Sequence, residues 1–181
     1  MAPAFINISA YKFCSLRYEQ LAGYQKSLLD KAKLLNLKGT ILLSVEGINV
    51  FFAGVRESVD SFIDFLETYD EFSALPYKES PSDYQPFTRM LVRIKKEIIS
   101  MGRDEIKPAE KTGQHLSARE FKRWYDNKKD MIVLDTRNDY EVELGTFKDA
   151  VDLNIETFRA FPDAVKELPD SVKEKPVVTF C

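Results

Sequence analysis

A short β-branched run, Met131-Ile132-Val133-Leu134, opens directly onto Asp135-Thr136-Arg137-Asn138-Asp139-Tyr140-Glu141, and no other stretch limits the fold as tightly. Four apolar residues without polar alternation read as a strand covered on both faces, the condition of strands in parallel sheets. Such a strand needs a second one beside it. Val177-Val178-Thr179-Phe180 supplies it at the end of the chain, and Cys181 follows at once. A short strand near Ala150–Leu153 and a helical stretch around 157–168 lie between them. Ser117-Ala118-Arg119-Glu120 reads as a capping box that opens a helix holding Phe121, Trp124 and Tyr125. Strands separated by helical segments imply a parallel α/β sheet. Asp135, Arg137 and Glu141 fall just past the first strand's carboxyl end, the edge where open α/β sheets place their sites.

The amino-terminal part follows a different pattern. Phe5 to Phe13 alternates as a strand, and residues 17–36 carry Leu21, Tyr24, Leu28, Ala32 and Leu35 at helical spacing. Lys38-Gly39 is expected to end that helix. Thr40–Leu43 and Val50–Phe52 form a hairpin across Glu46-Gly47, and a second helix covers 56–69. Pro76, Pro81 and Pro86 predict a loop. In residues 88–96, Met90, Val92 and Ile94 alternate with Arg89, Leu91, Arg93 and Lys95, giving a strand with one apolar and one mostly cationic face. The order βαββαβ predicts an α+β ferredoxin-like, acylphosphatase-like layer of two helices on an antiparallel sheet. Polar residues broken by Gly102, Pro108 and Gly113 then read as a linker.

Composition narrows the function classes. With 44% hydrophobic residues and 12% aromatics the chain can build packed cores, so wholesale disorder is excluded. Residues 1–112 carry 15 charges of each sign, and residues 113–181 carry 11 basic against 14 acidic, so any nucleic-acid surface is a local stripe rather than a basic domain. Two distant cysteines argue for a reducing compartment. No signal peptide and no apolar run of ~18–20 residues is present, so a cytoplasmic protein without a membrane span is expected. His115 is the sole histidine, which disfavours a Ser-His-Asp hydrolase lacking a Gly-x-Ser-x-Gly elbow and a two-histidine iron site. No Gly-x-Gly-x-x-Gly or Walker loop occurs.

A thiol at a strand's carboxyl end becomes a stabilised thiolate when backbone N–H groups and cations surround it, and a thiolate is a nucleophile. Cys181 has that place; the alternative is an inert packing residue, the reading that suits Cys14. Arg137 is expected to pair with Glu141 and brace the loop, while Asp135 accepts from nearby backbone. That arrangement serves equally as a structural ion pair. Arg89, Arg93, Lys95 and Lys96, with Tyr11 and Lys12 beside them, form a basic stripe suited to RNA phosphates, with the ring stacking on an unpaired base. A solvated strand face is the alternative.

The pattern Asp135-x-Arg137-x-x-x-Glu141-x-x-x-Gly145, with Ala150 five residues on, resembles the rhodanese family, whose nucleophilic cysteine follows a later buried strand. Cys181 occupies that place, and the loop that follows it in rhodaneses lies past the last residue given. A closer likeness spans nearly the whole chain. Tyr11-Lys12-Phe13, Lys38–Leu43 with Glu46-Gly47-Ile48-Asn49, and Pro86–Met90 with Val92–Ile98 resemble the amino-terminal domain of the tRNA uridine(34) hydroxylase family. Asp135–Val142, Gly145–Lys148, Phe158–Pro162 and Phe180-Cys181 continue the likeness. Thr146, where rhodaneses usually carry histidine, and Asp149, where they carry glycine, are departures from the common rhodanese pattern.

The resemblance implies oxygen-dependent hydroxylation at C5 of the wobble uridine of tRNA, giving 5-hydroxyuridine. Cys181 is the implied catalytic residue and Asp135, Arg137 and Glu141 its support. Molecular oxygen would be the co-substrate, with no metal or flavin signature visible, and the tRNA anticodon loop the partner. An unpaired base there can be splayed into a pocket at little cost. The implied layout is a ferredoxin-like, RNA-binding domain at 1–105, a linker at 106–114 and the first half of an α/β rhodanese-like domain with a parallel sheet at 115–181. The 181 residues alone are expected to be inactive. Two rival readings remain: a sulfurtransferase working through a Cys181 persulfide, and a non-catalytic RNA-binding module.

Overall fold

The computed structural model describes residues 4–103 and 105–181. Contacts divide them into two units. The first runs to Ile99 and takes in the segment ending at Lys111; the second holds Ser100–Arg103 and Thr112–Cys181.

The first unit contains β1 (Phe5–Phe13), α1 (Tyr18–Leu34), β2 (Lys38–Ser44), β3 (Gly47–Gly54), α2 (Arg56–Glu67), β4 (Tyr77–Ser82) and β5 (Met90–Ile94). The strands lie in the order β4-β1-β3-β2-β5. All neighbours are antiparallel except β2 and β5, which run parallel. The expected βαββαβ core is therefore present, but its last strand is not the expected one. Tyr77–Ser82 fills that position, inside the segment whose prolines predicted a loop. Pro81 is tolerated because β4 is an edge strand, where one side of the backbone has no ladder to lose. The cationic strand becomes a fifth member at the opposite edge.

Apolar alternation puts Ile6, Ile8 and Ala10 of β1, Ile41 and Leu43 of β2, and Ile48, Val50 and Phe52 of β3 on one face of the sheet. Leu21, Tyr24, Leu28 and Ala32 of α1 and Val59, Phe62 and Leu66 of α2 cover it. The Phe52 and Phe62 rings meet edge to face at 5.1 Å. The first helix does not end at Lys38-Gly39. Asn36 takes the left-handed conformation (φ 54°), and the N–H groups of Leu37 and Asn36 close on the carbonyls of Ala32 (2.9 Å) and Lys33 (3.0 Å). Asparagine does there what glycine commonly does.

The second unit is built from α3 (Ala118–Asp126), β6 (Ile132–Asp135), α4 (Asp139–Val142), β7 (Val151–Asp152), α5 (Phe161–Lys166), α6 (Asp170–Lys173) and β8 (Val177–Phe180). Its sheet has the order β7-β6-β8 with both pairings parallel. The predicted buried strand is the central one. Ser117 Oγ accepts from the Glu120 N–H at 3.2 Å, but the Glu120 carboxylate turns to Arg123 (3.0 Å) instead of completing the box. Buried aliphatic residues here are few among those described: Val133, Leu134 and Ile155. Rings supplement them, with Phe147 edge to face on Phe121 at 5.1 Å and on Phe180 at 4.9 Å.

Candidate active site and candidate nucleic-acid face

Asp135 is the last residue of β6 and is fully buried. Its Oδ1 accepts from the Arg137 backbone N–H (3.1 Å) and Nε (3.0 Å), and its Oδ2 from Arg137 Nη2 (2.7 Å) and the Thr146 hydroxyl (2.7 Å). A second Nη2 bond runs to the Gly145 carbonyl at 2.7 Å. One guanidinium thus ties the strand end to Gly145, three residues past the end of α4. The fork of Arg137 holds the Asp135 carboxyl below the ordinary carboxylate range, its hydrogen bond outweighing the effect of burial, with Thr146 and backbone adding to it.

The expected Arg137–Glu141 pair is not made. Glu141 stands at the third position of α4 and turns its carboxylate back to the Asn138 N–H at 3.3 Å, where the helix start leaves donors unsatisfied. Asp135 lies two residues from Arg137 and presents both oxygens to it, so it takes the fork that sequence reasoning gave to Glu141. Thr146 and Gly145 were missed as partners. The signal for Thr146 was its departure from the common pattern, without which the Asp135 carboxylate would lose one donor.

Cys181 follows β8 and is exposed. The Phe180 carbonyl just before it accepts from the Thr136 N–H (3.1 Å) and Oγ1 (2.9 Å), so the Asp135–Arg137 turn is fastened to the backbone beside the thiol. The Arg137 guanidinium carbon lies 5.6 Å from the Phe180 ring centre. Arg137 is held protonated above its ordinary value, first by the Asp135 hydrogen bond, with smaller contributions from the charges of Asp135, Glu141 and Cys181. Arg137 is thus a fixed cation on the turn that is bonded to the Phe180 carbonyl. Cys14 differs from Cys181: it packs against the first unit's core, and burial pushes its thiol up. Among the described residues no group of three or more His, Cys, Asp or Glu is arranged to hold a metal, and no helix is long and apolar enough to cross a membrane.

The strand registers place the basic stripe. Tyr11 pairs with Asn49, Asn49 with Leu42, and Leu42 with Arg93, so these four side chains share the sheet face opposite the helices. Backbone bonds from Gly39 N–H to the Arg89 carbonyl (3.0 Å) and from Lys95 N–H to the Leu43 carbonyl (2.8 Å) extend the β5 ladder by a residue at each end. Alternation then sets Arg89 and Lys95 on the same face. Arg89, Arg93, Lys95 and Lys96 are all exposed, and Tyr11 is 55% exposed. Lys12 does not join them. It belongs to the helix-covered face, where its Nζ donates to the Ser73 carbonyl at 2.6 Å, because adjacent residues of a strand point oppositely.

The first unit's residues 5–98 match the family described as the UPF0176 acylphosphatase like domain, which covers all five strands. The class is thus an acylphosphatase-like domain joined to a parallel-sheet unit with a cysteine after its last strand. The chain is 45% identical to a tRNA uridine(34) hydroxylase of Cupriavidus necator, covering 97% of this chain and 64% of that protein. A Ralstonia nicotianae relative of the same name is 44% identical with the same coverages. One from Delftia acidovorans is 43% identical, covering 97% of this chain and 68% of its own length. The chain belongs to the tRNA uridine(34) hydroxylase family, and it spans just under two thirds (64%) of the length of the first of these relatives.

Proposed function

We propose that this chain belongs to an enzyme that hydroxylates C5 of the wobble uridine of tRNA, with molecular oxygen as co-substrate and Cys181 as the catalytic nucleophile. The observation that carries the reading is 43–45% identity to proteins named for that activity across 97% of the chain. Chemistry at the thiol supports it. Cys181 is exposed, and Arg137, on the turn bonded to the Phe180 carbonyl, cannot lose its charge at physiological pH. Asp135 is the positioning residue for Arg137, and the Thr146 hydroxyl in turn donates to Asp135. The parallel β7-β6-β8 sheet, with this turn at its carboxyl edge, supports a rhodanese-type second domain. The tRNA anticodon loop is the proposed partner, and a cytoplasmic location accords with that substrate.

The test is nucleoside mass spectrometry of tRNA from cells whose only copy of the gene carries Cys181→Ala and which have no other route to the product. 5-Hydroxyuridine should fall to background. Wild-type levels would overturn the role of Cys181. Growth of the parent strain under isotopically heavy dioxygen should place the heavy atom in the nucleoside; label arriving only from heavy water would overturn oxygen dependence.

A further inference from the structure

The sheet face opposite the helices has more on it than the basic stripe. The register sets Ser9 against Phe51, Phe51 against Thr40 and Thr40 against Leu91, so Phe51 belongs to that face, one row along from Tyr11. Phe51 is 47% exposed although it sits in a central strand whose neighbours Val50 and Phe52 are wholly buried. Tyr11 and Phe51 are diagonal neighbours on paired strands, their attachment points roughly 7–8 Å apart. The tyrosine ring is braced at its edge by Phe13 at 5.9 Å. Two large rings are thus presented side by side, each with area to cover.

Within the strands, charge on this face has one sign; at its rim the Glu46 carboxylate accepts from the Ile98 N–H at 2.6 Å. Lys38, paired with Ala53, and Lys78, paired with Ser9, join Arg93 there, and every charged residue paired within the five strands on this face is basic. Arg93, Lys38 and Lys78 have no carboxylate partner among the described residues. Across the sheet, on the helix-covered side, Glu79 is paired with Arg56 at 2.5 Å. A cationic, ring-bearing face on a chain of net charge −3 is a local feature that complements a polyanion with exposed flat groups.

We infer that the open face of the five-stranded sheet binds unpaired RNA, with Tyr11 and Phe51 as stacking platforms for two successive bases and Arg93 and Lys38 taking the phosphates. The choice of RNA over another polyanion rests on the proposed hydroxylase reading. The face itself selects single strands. Rings can stack only on bases that are not already stacked within a duplex. Arg93 lies three strands from Tyr11 in the same row, roughly 14 Å at the usual strand spacing; in that row Asn49 Nδ2 donates to the carbonyl of the buried Ile98 at 3.0 Å, so the bound strand would cross the sheet by the neighbouring Phe51–Thr40 row. Lys12, on the opposite face, takes no part.

The test uses the whole 181-residue chain and fluorescence anisotropy with a labelled anticodon stem–loop oligoribonucleotide, beside a loop-free duplex of equal length. The stem–loop should bind more tightly than the duplex. Tyr11→Leu with Phe51→Leu should weaken stem–loop binding by roughly 10–100-fold and leave the salt dependence unchanged, since no charge is removed. Lys38→Gln with Arg93→Gln should instead lower the slope of log affinity on log salt by about 0.7 per lost contact. Both pairs are exposed, and unchanged far-UV circular dichroism confirms that each variant folds. Full binding by the ring variant, or equal affinity for the duplex, would overturn the inference, as would absence of binding by the parent chain. Displacement of the RNA by polyglutamate as readily as by unlabelled single strands would reassign the face to an acidic protein. None of these readouts involves Cys181. Loss of binding specificity therefore fails this inference alone, and persistent 5-hydroxyuridine in Cys181→Ala cells fails the hydroxylase reading alone.

Discussion

Replacing Asp135 by alanine should destabilise the second unit by about 3 kcal/mol, the cost expected when one partner of a buried charge pair is removed. The carboxylate is fully buried and takes four hydrogen bonds, three of them from Arg137. Its loss strands a guanidinium that is only 20% exposed and leaves the Thr146 hydroxyl without its acceptor. The unit has little to offset this, since Val133, Leu134 and Ile155 are its buried aliphatics. Trp124 is the chain's sole tryptophan and lies on α3 in this unit, so urea unfolding followed by its fluorescence reads the effect without interference from the first unit. Acid gives an independent readout. Because the folded-state pKa of Asp135 is depressed, its stabilisation is complete above the unfolded value of about 3.9 and drains away as pH falls below it, through the folded value. Asp135→Asn should lose this part of the acid dependence while retaining more stability than alanine, because its amide oxygen still accepts from Arg137. An unfolding midpoint of Asp135→Ala equal to that of the parent would show that the Arg137 fork does not hold the turn.

Periodicity made the first unit's two helices, its hairpin and the central strand of the second unit legible, because burial of one face acts on every turn or every second residue. Effects of neighbouring chain segments were not. Pro81 is compatible with a strand only once β4 is known to be an edge. Asn36 ends α1 in place of Gly39 because the left-handed position tolerates asparagine, a possibility that the preference for glycine at helix ends had hidden. At the candidate site, the residues Asp135, Arg137, Glu141 and Cys181 could be picked out from the motif, but their pairing could not. Whether Arg137 reaches Asp135 or Glu141 depends on the turn after β6 and on α4 drawing the Glu141 carboxylate to its own start. The stripe partner Lys12 was misassigned for a simpler reason: its neighbour Tyr11 faces solvent, so alternation already sends Lys12 to the helix side. Phe51 was read as one apolar residue among several, since only the register of β3 between β1 and β2 shows which side it takes.

The same substitution should act with opposite sign at two glycines of the first unit. Gly39 lies in β2 against Phe52 of β3, with φ of 149° in the region open to glycine. A Cβ there would overlap the Phe51 carbonyl oxygen and come within 2.5 Å of Phe52 Cα, and both obstacles are backbone atoms of a central strand that cannot swing aside. Backbone strain of about 1–3 kcal/mol and overpacking of about 1–3 kcal/mol together predict that Gly39→Ala costs about 4 kcal/mol. That is a large share of the 5–15 kcal/mol by which domains are stable. Gly23 lies within α1, is exposed, and has no atom within 4 Å of the position a Cβ would take. There alanine removes only the entropic handicap of glycine in a helix, and Gly23→Ala should add up to about 1 kcal/mol. Thermal unfolding followed by far-UV circular dichroism separates the two, with a lowered first-unit midpoint for Gly39→Ala and a raised one for Gly23→Ala. A Gly39→Ala chain that melts with the parent would mean that β2 and β3 are not held in the register Gly39↔Phe52. The alignment of the basic stripe would go with it, because that register, through Leu42, sets Arg93 in line with Asn49.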